Sequence, residues 1–206
     1  MRWLAVVLVL ILLGCVQHHT IHVLAGKGLK ADLLTKAEEF SKSYGIKVNL
    51  TFTSYTNMKD FGKYDVVIAP KEFPLFNITL NVNAVKVLPY KVRVPVVVVR
   101  PNSTIKSIED LNGKTVVLIG EHVPGRCIGI KILKAYRIRA HVIYNSPKRI
   151  FEDVAMGKAD ATIVWNDTVK GNFRLIPIRN YEMRIYILVI KNGDAVEKFV
   201  KFLVGG

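Results

Sequence analysis

"IHVLAGKGLKADLLTKAEEFSKSYG" (residues 21–45) decides the class of fold. Its first six residues are almost wholly apolar, the pattern of a strand covered on both faces, as strands of parallel sheets are. Leu29, Leu33, Leu34, Ala37 and Phe40 then recur at helical spacing, and Gly45 is placed to close the helix. A buried strand leading straight into an amphipathic helix predicts a βα unit. Working outward, "IKVNLTFT" (residues 46–53) alternates as a strand does, and "YDVVIAP" (residues 64–70) is a second short apolar run. Together they predict the start of a doubly wound α/β lobe.

A second series follows in the same style. It comprises the strand "VRVPVVVVRP" (92–101), a turn at 101–104, "SIEDLNG" (107–113), the strand "KTVVLIG" (114–120) and a helix opening through "GEHVPGRCIGIKIL" (120–133). Then come the strand "AHVIYN" (140–145), the helix "SPKRIFEDVAMG" (146–157) and the strand "ADATIVWN" (159–166). The chain ends with the strand "RIYILVI" (184–190) and the helix "DAVEKFVKFLV" (194–204), which is expected to return to the first lobe. The fold predicted is α/β in two doubly wound lobes joined by two crossover strands, the first lobe discontinuous. Residues 21–92 and 182–206 form lobe 1, and residues 93–181 form lobe 2.

At 206 residues, half of them apolar, the chain has ample material for a core. Its formal charge of +14 points to anionic partners. The basic residues are scattered, from Lys30 to Lys201, and no zinc-finger spacing or strand-binding aromatic motif accompanies them, which argues against nucleic acid. "MRWLAVVLVLILLGC" (residues 1–15) has the layout of a secretory signal: a basic second residue, an apolar run at the short end for a membrane span, then small residues. Residues 1–14 are read as the signal and 15–20 as a tether. The ending Leu12-Leu13-Gly14-Cys15 resembles the lipobox of exported lipoproteins, in which the cysteine carries lipid; the alternative is an uncleaved anchor helix. Either leaves the body of the protein outside the membrane, at the cell surface or in the periplasm.

With Cys15 committed to lipid, Cys127 has no partner for an intrachain disulfide. It reads as a small buried residue, although Arg126 and a helix start beside it would activate an exposed thiol. His18, His19 and His22 cluster, but alternate faces of a tether and strand would not converge on one ion, so no metal site is expected.

Six segments, in order, resemble the type 2 extracellular solute-binding proteins of ABC importers, and within them the molybdate- and tungstate-binding branch. They are "VLAGKGLKADLLTKAEEF", "IKVNLTFTSYTNM", "YDVVIAP", "VPVVVVRPNSTIKSIEDLNGKTVVLIGEHVPG", the Val123-Pro124-Gly125 turn within it, and "VAMGKADATIVWND" with its Gly-x-Ala-Asp-Ala pattern. The resemblance implies two lobes that close on an oxyanion held at loops and helix starts, a monomeric receptor, and delivery to an ABC permease. It matches Gly125 to a backbone N–H on the anion, with Arg126 beside it. Gly28, preceded by Lys27, stands where the branch has a serine, and Tyr55, preceded by Ser54, stands at a second serine. Pro147, which has no N–H, stands at a backbone donor, so Ser146 is the candidate there, and Trp165 stands at a tyrosine. Lys27, Arg126, Tyr55 and Trp165 would widen the site for a different oxyanion or a small organic anion; each equally has a structural reading, as a solvated charge or a packed ring.

No nucleophile triad, carboxylate pair or phosphate loop stands out, and Gly26-Lys27-Gly28 lacks the rest of a nucleotide motif, so neither enzyme activity nor a cofactor is expected. Asp65, Asp160 and Asp167 lie near strand ends, where caps and turns use them equally well. The expected function is a tethered oxyanion receptor. Its rival is a cell-surface sensor or interaction module that keeps the fold and takes a different small anion or none.

Overall fold

The quoted segment is a βα unit. The structure, a computed structural model, describes residues 20–120 and 128–205. β1 (Ile21–Gly26) exposes only His22. A single 3-10 turn, Lys27–Leu29, leads into α1 (Lys30–Tyr44), which ends at Gly45 with φ 66°, its N–H returning to the Ser41 carbonyl at 2.9 Å. Leu29, Leu33, Ala37 and Phe40 are buried, but Leu34 is 47% exposed. At 100° per residue it stands a full step off the stripe that the other four share, so helical spacing alone over-assigned it.

The chain continues through β2 (Val48–Thr53), β3 (Val66–Ala69) and a short antiparallel hairpin of β4 (Glu72–Phe73) and β5 (Ile78–Thr79). β6 (Lys86–Arg93), β7 (Pro95–Val99), β8 (Thr115–Ile119), α2 (Ile128–Ala135) and β9 (His141–Asn145) follow. The remainder is α3 (Arg149–Ala155), β10 (Ala161–Trp165), β11 (Arg174–Pro177), β12 (Met183–Val189) and α4 (Asp194–Gly205). One sheet has the order β2-β1-β3-β12-β6 and the other β11-β7-β10-β8-β9.

The single strand expected over 92–101 is two. The break falls at Val94, whose N–H donates to Asn166 Oδ1 at 2.9 Å and whose carbonyl accepts the Asn166 N–H at 2.8 Å; Pro95 next to it has no N–H for a ladder. The "SIEDLNG" segment is only a 3-10 turn, Glu109–Leu111, and the helix expected from residue 146 begins at Arg149. The β4-β5 hairpin and β11 have no strong pattern in the sequence and were not foreseen.

The described residues divide into two compact units, 20–69 with Val82–Leu88 and 187–205, and Pro70–Asn81 with 89–120 and 128–186. β6 and β12 each pass from one unit into the other, so the division falls inside strands rather than at the expected 92/93 and 181/182. Residues 70–81, expected in lobe 1, group with the second unit, where Phe73 packs 5.8 Å from the Trp165 ring. In the first unit α4 returns as expected, with Phe199 edge-on to Phe40 at 5.0 Å. Burying a phenylalanine fully contributes about 1.5–3 kcal/mol. In the second unit β7 is buried along its whole length, and Val96, Val98, Val117, Ile150, Val154 and Val164 belong to one core cluster.

Candidate functional site

Ligands of open α/β sheets gather at the carboxyl ends of the strands, where the strand order reverses. In the first unit that point lies at β1, flanked by β2 on one side and β3 on the other, all three parallel. The register sets Gly26 beside Thr53, so β1 and β2 end level. Each then makes a 3-10 turn, Lys27–Leu29 and Tyr55–Asn57. The arrangement brings Lys27, Gly28, Ser54 and Tyr55 to one edge. Lys27 and Gly28 are exposed, and Ser54 and Tyr55 are half-buried.

Gly26 is required by the packing. A Cβ built there would overlap the Tyr55 ring, so glycine alone lets that ring lie against the end of β1. No side chain caps the Lys27–Leu29 turn. Ser54 Oγ lies 3.2 Å from Thr56 Oγ1, which donates in turn to Asn57 Oδ1 at 3.3 Å.

In the second unit β8, β9 and β10 run parallel, with Ile119 paired to Asn145. Their carboxyl ends place Asn145, Ser146 and Trp165 at a common edge. Gly125, Arg126 and Cys127, which follow β8, lie outside the described residues, as do Cys15, His18, His19 and the signal segment. The Ser146 N–H donates to Asn145 Oδ1 at 2.9 Å, and its Oγ accepts the Arg149 N–H at 3.4 Å. Its amide is engaged, which leaves its hydroxyl as the group it can offer. Asn145 is itself held by donation from Nδ2 to Asp153 Oδ2 at 2.7 Å.

Trp165 is clamped. The Arg93 guanidinium lies 5.1 Å from the centroid of its ring, and Arg93 is only 4% exposed. Arg93 Nε and Nη2 both donate to Asp167 Oδ1, at 3.0 and 2.8 Å, while Lys91 Nζ sits 3.3 Å from Asp167 Oδ2. Phe73 packs against Trp165 and stacks on Phe76 at 5.3 Å, and Lys131 Nζ lies 5.6 Å over the Phe76 ring. Each cation–π contact contributes about 0.5–2 kcal/mol. Arg93, Asp167 and Phe73 were not foreseen as neighbours of Trp165. Arg93 sits inside an apolar run and Asp167 is 74 residues away, so no local pattern links them.

The three carboxylates near strand ends serve structure. Asp65 Oδ2 accepts the His22 N–H at 2.8 Å, Asp160 Oδ2 accepts the Thr115 N–H at 2.8 Å, and Asp167 neutralises Arg93. Among the described residues no group of three or more His, Cys, Asp or Glu could hold a metal ion.

A family model described as bacterial extracellular solute-binding protein matches residues 21–206. The comparison with curated proteins returns no match. Among solved structures, the chain is similar to the substrate-binding domain assigned to a molybdenum ABC transporter from Clostridium difficile, at 18% identity and TM-score 0.61, covering 90% of this chain and 92% of that one. It is also similar to the CcmR regulatory domain of Synechocystis PCC6803 in complex with 2-PG, at 17% identity, TM-score 0.61 and coverage of 90% and 96%. The BenM effector-binding domain with benzoate matches at 14% identity, TM-score 0.63 and coverage of 89% and 90%. What these share with the chain is the fold, which is the α/β type 2 periplasmic-binding fold expected.

Proposed function

The chain belongs to the bacterial extracellular solute-binding proteins, and from that premise we propose that it is a membrane-tethered receptor that captures a small oxyanion such as molybdate or tungstate and delivers it to an ABC importer. The observation that carries the proposal is the level ending of β1 and β2, Gly26 beside Thr53, which presents two short turns and Lys27 at the switch point of the first sheet. A dehydrated oxyanion needs several short donors arranged in advance. The turn at Lys27–Leu29 offers backbone N–H groups with no side-chain cap, Lys27 adds a charge, and the Tyr55 hydroxyl and, once it turns from Thr56 Oγ1, the Ser54 hydroxyl are the side-chain donors proposed. Gly125, Arg126, the Ser146 hydroxyl and the Trp165 indole N–H are the donors proposed from the second unit. The tether is proposed at Cys15, by lipid, and the protein acts as a binder rather than an enzyme.

A second reading is favoured by one feature, the aromatic group of Trp165, Phe73 and Phe76 with Arg93 and Lys131 over its rings. Such a wall suits an anion with an apolar body, taken up by a cell-surface sensor that keeps the fold without transport. A thermal-shift panel in phosphate-free buffer separates the two readings. Ligand at a hundred times its Kd adds about 2.7 kcal/mol, a rise in Tm of very roughly 5–10 °C. A shift with molybdate or tungstate alone supports the receptor; a shift with aromatic carboxylates alone supports the sensor.

A further inference from the structure

We propose that the second unit carries another small-molecule site, at the end of its sheet away from Trp165, and that this site takes an acidic α-amino acid. β7 runs antiparallel to β10, with Val99 beside Ala161, so Arg100 emerges where β10 and β8 begin. A cavity of about 240 Å³ opens there, lined by Arg100, Ser103, Thr104, Lys114 and Asp160 among others. Its size lies below that of pockets for drug-sized ligands and matches a metabolite of a few heavy atoms.

The walls are fixed before any ligand arrives. Arg100 Nη1 donates to the carbonyls of Val154 and Ala159 at 2.8 and 3.2 Å. Gly157, at φ 75°, leaves space for that guanidinium, since a Cβ would stand 3.2 Å from Nη1. The facing loop is pinned by Arg174, whose Nη2 donates to the Ser103 and Ile105 carbonyls at 2.6 and 2.5 Å. Preorganised walls reduce the ordering cost of binding.

The charges in the cavity are unbalanced. Among the described residues, Arg100 Nε and Nη2 donate to no protein group and Lys114 has no ion-pair partner, while Asp160 uses Oδ2 on Thr115 and keeps Oδ1 free to accept. Two cations and one carboxylate call for a ligand with two anionic groups and one cationic donor. A carboxylate in the wall repels a fully deprotonated oxyanion and rewards an N–H donor. The guanidinium fork matches one carboxylate, Lys114 matches the second, and Asp160 Oδ1 accepts from the ammonium. An acidic amino acid satisfies all three. This site is independent of the anion proposed at the ends of β1 and β2.

The test is calorimetric titration of the full chain with L-aspartate and with succinate, which has the same two carboxylates and no ammonium. One L-aspartate should bind per chain, with succinate at least tenfold weaker. Lys114→Ala, at an exposed side chain with no bonded partner among the described residues, and Asp160→Asn, which keeps an acceptor for Thr115, should each weaken L-aspartate at least tenfold. A matching circular-dichroism melt checks that both variants fold. No binding of L-aspartate, equal binding of succinate, or unchanged affinity in both folded variants would overturn the proposal.

Discussion

Arg93 lies 5.1 Å over the Trp165 ring while it is held by two hydrogen bonds to one oxygen of Asp167. A buried cation thereby sets the plane of the ring at the carboxyl end of β10. Removing Asp167 would leave Arg93 buried without its counter-charge, a change that costs 3–5 kcal/mol at a fully buried pair and less where, as here, the carboxylate is 21% exposed. Asp167→Asn should lower Tm by about 5 °C and shift the tryptophan emission of the folded protein. Unchanged melting and emission would mean the clamp does not hold the ring.

Gly26→Ala should destabilise by about 1–3 kcal/mol, because the new methyl meets the Tyr55 ring and the ring must move. Pairing it with Tyr55→Ala should recover most of that loss. A denaturant-unfolding cycle over the four proteins measures the coupling, and additive losses would contradict the packing described.

On α1 the two adjacent leucines should differ sharply. Leu33 is fully buried, so Leu33→Ala should cost about 2–5 kcal/mol, whereas Leu34→Ala should stay within about 0.5 kcal/mol. Urea unfolding midpoints decide between this and an equal loss at both.

Asp110 Oδ2 accepts the N–H groups of Lys106 at 2.7 Å and Ser107 at 3.0 Å, and these two bonds hold its carboxyl below the usual aspartate value. A depressed folded pKa contributes stability that is complete above the unfolded value and is lost as pH falls through the folded one. The stability gap between the wild type and Asp110→Asn should therefore be constant near neutrality and shrink below about pH 4. Unfolding curves from pH 6 to pH 2.5 test it, and a gap that widens on acidification would contradict it.

Much of the fold was legible because local signals and tertiary demands agreed. The apolar run of β1, the stripe of Leu33, Ala37 and Phe40, and the left-handed Gly45 each point to the same βα unit. Legibility failed where a contact joined distant residues. Nothing near Phe73 marks the two-residue strand it belongs to, and nothing near Arg93 announces Asp167 or the Trp165 ring. The break at Val94 was hidden by the surrounding valines, although Pro95 carried the clue. At the candidate site, Lys27, Gly28, Ser54 and Tyr55 do meet at one sheet edge, because the parallel register of β1 and β2 leaves no other place for the turns that follow them. Ser146 was foreseen as a donor, yet the structure commits its amide to Asn145.

The central claim is that a small oxyanion binds at the turn after β1 with Lys27 as its charge partner. The most direct measurement is calorimetric titration of molybdate into the purified protein in phosphate-free buffer, repeated with Lys27→Glu, a change at an exposed side chain. The account predicts saturable binding of one anion per chain that the substitution weakens at least tenfold, equivalent to about 1.4 kcal/mol or more. An absence of binding, or an affinity that the charge reversal leaves intact, would contradict it.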